Sequence, residues 1–146
     1  MAGANDLLKE IVEIGRDGAA FYDSAQQKVS NPRLRAVFGR MSGAKRELVT
    51  ALSDHLSQIG ERPPERGTLV GTLRKAYAGV LATLAADDEH IYVAQLEEAE
   101  DRLLERVQRA ILEAKDTQVR VQLQAYLPKI RACHDEMRDL RSQLTT

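Results

Sequence analysis

Apolar residues recur at the helical period of about 3.6 along nearly the whole chain, and capping residues or prolines stand where the period breaks. Leu7, Ile11, Ile14, Gly18, Phe21 and Ala25 share one stripe, which predicts a first helix over about 5–29, with Asn5 or Asp6 able to cap it. Asn31 followed by Pro32 is an N-cap and first-turn pair, and a second stripe from Leu34 to Ile59 predicts a helix over 32–59. Gly60 and the following "ERPPERG" end it. Leu69, Val70, Leu73, Tyr77, Val80 and Leu84 then predict a shorter helix over 69–86. Two further long helices follow over 88–114 and 117–144, the last carrying Pro128 in its interior, where a kink is expected.

Four helices of roughly 25 residues, each about 37 Å long, describe an all-α four-helix bundle. The connection between the first two is short enough to force an antiparallel hairpin. The stretch from Gly60 to Asp87 is long enough to run the length of the bundle, so the second and third helices are expected to be parallel, with the shorter helix in the crossover. An up-and-down bundle with an added fifth helix is the other arrangement the pattern allows.

Glu100, Lys45 and His134 fall inside apolar stripes, and with Asp17 at a stripe's edge they are the candidates for chemistry. At about 100° per residue, Glu100 lies about 40° from Leu96, Lys45 about 40° from Met41, and His134 about 40° from Ile130. Asp17 flanks the first helix's stripe, Glu97 sits at the edge of its own, and Glu98, Asp101, Asp135 and Glu136 point outward. Counted along parallel second and third helices, Asp17, Lys45, Glu100 and His134 reach similar depths at about 1.5 Å per residue. They are therefore expected to form one buried polar layer at mid-bundle.

That layer supports two chemistries. In the first it is an ion-pair network in which Lys45, with His134 when protonated, neutralises Glu100 and Asp17, because buried charges must be paired. In the second it is a metal site with Glu97, Glu100, His134 and Asp17 as ligands for Fe, Mn or Zn. Nothing in the sequence marks a substrate pocket, so no catalytic residue is assigned. His55 is expected to cap or rim the second helix, and Tyr22, Tyr92 and Tyr126 to pack with their hydroxyls on a partner.

Composition narrows the classes further. The 146 residues suit a single domain, and 21 basic against 22 acidic side chains leave no net field to attract nucleic acid or an anionic membrane. The single Cys133 excludes an intramolecular disulfide, no stretch approaches the roughly 18 apolar residues of a membrane span, and the N-terminus lacks the pattern of a signal peptide. A soluble, cytoplasmic protein is expected. The apolar face over 69–84 must be covered either by its own bundle or by a second copy, which makes a homodimer one expectation.

The hairpin, long crossover, second hairpin and mid-bundle polar residues resemble a ferritin-like four-helix bundle. More narrowly, "GRDGAAFYDSA", "NPRLRAVF", "LEEAEDRLL" and "CHDEMRDLR" resemble a bacterial ferritin-like domain family of unknown function. The resemblance implies the fold and a bacterial source, together with a non-catalytic role that is stress-associated or partner-binding. Metal-binding members of the wider superfamily use inward glutamates and Glu-x-x-His pairs. Here the residues three positions before His55, His90 and His134 are Leu52, Asp87 and Arg131. The ligand motif is thus missing, and Lys45 places an ammonium where a ligand would be needed.

Overall fold

The computed structural model describes residues 4–64 and 89–145. Among these residues there are four helices and no strand: α1 (Ala4–Lys28), α2 (Pro32–Gln58), α3 (Glu89–Glu113) and α4 (Thr117–Thr145). The chain is an all-α bundle. The helix expected over 69–86 lies outside the described residues.

Local chemistry sets the helix ends. Asn31 Oδ1 accepts from the backbone N–H of Arg33 at 2.9 Å and of Leu34 at 3.4 Å, and Pro32 follows where no donor is needed. α2 stops in a left-handed turn at Gly60, φ 80°, where Gly60 N–H donates to Ser57 O and Glu61 N–H to Leu56 O. Those two bonds satisfy carbonyls that the last turn would otherwise leave open. Asp116 Oδ1 caps α4 by accepting from Gln118 N–H at 2.8 Å. α4 continues through Pro128.

Cross-helix contacts establish the topology. Arg40 pairs with Glu136, Glu47 with Lys129, and the Ala51 carbonyl accepts from Gln122, so α2 runs against α4. Glu97 with Arg141 and Asp101 with His134 set α3 against α4 in the same way. It follows that α2 and α3 are parallel. The chain leaving α2 is drawn along α1, where Glu61 binds Lys9 at 2.9 Å and the Pro64 carbonyl accepts from Arg16 at 2.8 Å.

The core falls into two apolar clusters, each fed by all four helices. One gathers Leu8, Ile11, Leu52, Leu56, Leu103, Val107 and Leu123, and the other gathers Tyr22, Phe38, Met41, Val93, Leu96 and Met137. Between them, on successive turns of α2 and α3, lie Lys45 and Glu100.

Within the first hairpin the helices approach closely at Gly15, where an added Cβ would stand 2.7 Å from Val49 Cγ2. Val49 is buried and β-branched, so its methyl has little freedom to retreat. Gly43 is exposed, with no atom within 4 Å of an added Cβ. Alanine is therefore expected to act with opposite signs at these two helical glycines. Gly43→Ala gains about 0.5–1 kcal/mol from helix propensity, while Gly15→Ala loses about 1–3 kcal/mol to overpacking, as read by urea denaturation. Stabilisation by both would show that α1 and α2 do not meet at Gly15.

Candidate functional site

Three helices each send one side chain to a common point between the two apolar clusters. Lys45 Nζ of α2 lies 2.6 Å from Glu100 Oε1 of α3, and the two side chains are 5% and 1% exposed. The Tyr22 hydroxyl of α1 donates to the same Oε1 at 2.7 Å. The Lys45 ammonium also stands 5.6 Å from the centroid of the Tyr22 ring, which in turn packs against Phe38 at 5.8 Å. Lysine, tyrosine and glutamate thus form one hydrogen-bonded, nearly charge-neutral centre.

The arrangement follows from the apolar pattern. Each of the three residues occupies a core-facing position of its helix, so helix packing alone carries the polar groups inward. A lone buried charge would cost several kcal/mol, and the pair offsets that cost by direct contact and by the charge-assisted bond from Tyr22. Glu100 Oε2 is the exception, being buried with no hydrogen-bond partner. Both donors converge on one carboxylate oxygen and leave the other bare.

Cys133, half-buried on α4, senses this centre. Burial pushes its thiol above the ordinary range, while the Lys45 ammonium acts against that rise and the Glu100 carboxylate adds to it. The thiol is therefore held protonated, away from the thiolate that nucleophilic or metal chemistry requires.

Of the other expected members of the layer, His134 lies elsewhere. His134 does not meet Glu100; its Nε2 lies 2.8 Å from Asp101 Oδ1 and its Nδ1 3.1 Å from Asp135 Oδ1. Asp17 is half-buried on α1 beside Glu10 and Glu13. The Glu13 carboxyl is pushed upward by burial first and then by the charges of Asp17 and Glu10. Glu97 binds Arg141 at 2.8 Å. Glu97, Glu100 and His134 are thus divided among separate partners. Among the described residues no three His, Cys, Asp or Glu side chains gather as a metal ion would need.

His55, expected at a cap or rim, is buried within α2 with Nε2 unpartnered. Asp101, assigned to solvent by its angle, reaches His134 even though its side chain is 68% exposed. A further contact was hidden from the stripes: the Ser42 hydroxyl, buried between α1 and α2, bonds Asp23 Oδ1 at 2.6 Å, and Asp23 also takes Arg46. A small polar residue on an apolar stripe opposite an acid was the available signal. Tyr126 carries the Lys129 ammonium 5.5 Å from its ring centroid.

The fold and centre define an all-α four-helix bundle with an ion pair at its waist, and no described helix is long and apolar enough to cross a membrane. The chain belongs to a domain family of unknown function, DUF2383, whose match covers residues 4–114. That match spans the first hairpin and α3, so it includes Tyr22, Lys45 and Glu100. Comparison with curated proteins gives no match.

Pairing at the centre has a measurable signature. Glu100→Ala is expected to lose about 3–5 kcal/mol in denaturant unfolding, because it strands a buried ammonium. Adding Lys45→Met should recover part of that loss. Strictly additive losses in the double-mutant cycle would mean that the two side chains do not act as a pair.

Proposed function

We propose that this protein is a cytoplasmic, ferritin-like bundle with a non-catalytic, partner-binding role, in which the Lys45–Glu100 pair occupies the position that metal-binding bundles of this architecture give to their ion. Support comes from the parallel α2 and α3, which require a connection along the bundle, and above all from the ammonium bonded to Glu100. A metal ion in a ferritin-like bundle takes inward carboxylates and Glu-x-x-His pairs. Here Glu100, the one buried carboxylate among the described residues, is already engaged by Lys45 and Tyr22.

Charge disfavours an added cation. At about 4 Å and an effective dielectric near 20, each unit of positive charge brought beside Lys45 Nζ costs about 4 kcal/mol. The donor set is also incomplete, since Glu97 and His134 are turned to Arg141 and Asp101. The residues present therefore do not suit a di-iron or similar centre.

One observation favours the second reading, a metal-binding protein using Glu100, Glu97, His134 and Asp17 for Fe, Mn or Zn: Glu100 Oε2 is a bare, buried donor. Elemental analysis of the purified full chain separates the two. The ion-pair reading expects less than stoichiometric metal and no change in Glu100→Ala or His134→Ala. Stoichiometric metal lost from both variants would overturn it.

A partner-binding role also needs a surface. The apolar face written over 69–84 is the sequence feature best suited to cover a second copy. Light scattering at micromolar concentration should then give a dimer mass, reduced to monomer by Leu73→Glu with Tyr77→Glu. A monomer mass for the unaltered chain would remove the homodimer.

A further inference from the structure

The seam between α2 and α4 opens into a cavity of about 540 Å³ where the last turns of α2 meet the first turns of α4. That volume falls within the range of about 300–1,000 Å³ typical of small-molecule sites. Helical spacing brings its polar groups together: Asp54, His55 and Gln58 share one face of α2, and Thr117, Gln118 and Gln122 share one face of α4. Gln122 Nε2 donates across the seam to the Ala51 carbonyl at 3.1 Å, so a polar side chain bridges the helices at the cavity wall.

His55 sets this cavity apart from an ordinary surface groove. The residue lines it at only 6% exposure, and its Nε2 is buried with no hydrogen-bond partner. A buried ring nitrogen without a partner is a standing cost to the fold, and a ligand that bonds it removes that cost.

The lining selects the chemistry. Among the described residues no lysine or arginine lines the cavity, and Asp54 contributes a carboxylate. The start of α4, which would otherwise attract an anion, is already capped, with Asp116 Oδ1 accepting from Gln118 N–H at 2.8 Å. Phosphate and carboxylate ligands are therefore disfavoured. A metal ion lacks its donors, since among the described residues no three His, Cys, Asp or Glu side chains gather. A diamine would find one exposed carboxylate for its two charges. What remains is a dense set of neutral donors and acceptors: three carboxamides, one hydroxyl and one imidazole. A ligand hydroxyl both donates and accepts, so it suits a carboxamide, a carboxylate and either tautomer of an imidazole.

We propose that the cavity between the end of α2 and the start of α4 binds a small uncharged polyol, such as a monosaccharide, with one hydroxyl bonded to His55 Nε2. Adjacent hydroxyls of such a molecule pair with the two ends of a planar carboxamide, which the exposed Gln58 and Gln118 supply. Ala51 and the exposed Val121 give its C–H face an apolar contact. His55 lies ten residues beyond Lys45 on α2, about 15 Å along the helix, so the site stands apart from the buried ion pair.

The test is an NMR titration of the full chain with D-glucose and glycerol, with sodium phosphate and putrescine as charged comparisons. A polyol should shift the backbone amides of His55, Gln118 and Val121 and the His55 Nε2 resonance along one saturable curve, and the charged probes should not saturate there. His55→Phe keeps a ring without the nitrogen, and Gln118→Ala truncates an exposed side chain. Each should weaken the polyol about fivefold to tenfold. Gln143→Ala, at the other end of the α2–α4 seam, should leave it unchanged. Shifts that rise linearly with polyol concentration, saturation by phosphate or putrescine instead, or unchanged affinity in either cavity variant would overturn the proposal.

Discussion

The buried contact between Lys45 and Glu100 is the constraint on which the bundle's register depends. The apolar clusters above and below it are assembled mainly from aliphatic side chains, with Tyr22, Phe38 and two methionines in one of them, and apolar side chains can exchange neighbours at modest cost. An ammonium and a carboxylate cannot. Sliding α2 past α3 by one turn, about 5.4 Å, would separate them inside an apolar medium and strand both charges. One level of the bundle is thereby specified by electrostatics, while the packing on either side supplies most of the burial.

This division also explains how the two hairpins meet. Within the first hairpin, α1 and α2 come close enough that Gly15 has no space for a side chain beside Val49. Between hairpins the shared apolar core is supplemented near the surface by charged pairs, Glu10 with Arg106, Glu47 with Lys129 and Arg40 with Glu136. Exposed pairs of this kind add little individually. Their value is directional: they repeat the antiparallel sense of α2 against α4 and of α1 against α3, and agree with the buried pair.

The helix ends at Lys28, Pro32, Gln58, Glu113 and Thr117 were legible in the sequence to within a residue, because caps are local chemistry. The pairs Asn31 with Pro32 and Gly60 with Glu61 act through bonds within a few positions. Glu100 and Lys45 were legible for a similar reason, since a charged residue at an apolar angle has few alternatives. The partner of His134 was not. Its angle pointed inward, but angle carries no information on how far a neighbouring helix stands away, and Asp101 reached across from a position read as solvent. The Tyr22 hydroxyl was expected to find a partner, but which one required knowing that α1 and α3 meet at that level.

Retaining a buried ion pair where apolar residues would pack calls for a reason, because a hydrophobic replacement of similar volume is often neutral or stabilising. The bare Oε2 of Glu100 makes the question sharper, since an unpaired buried acceptor costs about 1–3 kcal/mol. Register specification supplies the reason. A four-helix bundle built only of aliphatic layers has several alignments of similar energy, and a single polar contact that works in one of them separates that one from the rest. The oxygen left bare is consistent with a contact selected for position rather than for strength, because one lysine bond and one tyrosine bond to a single oxygen suffice to define where α1, α2 and α3 cross.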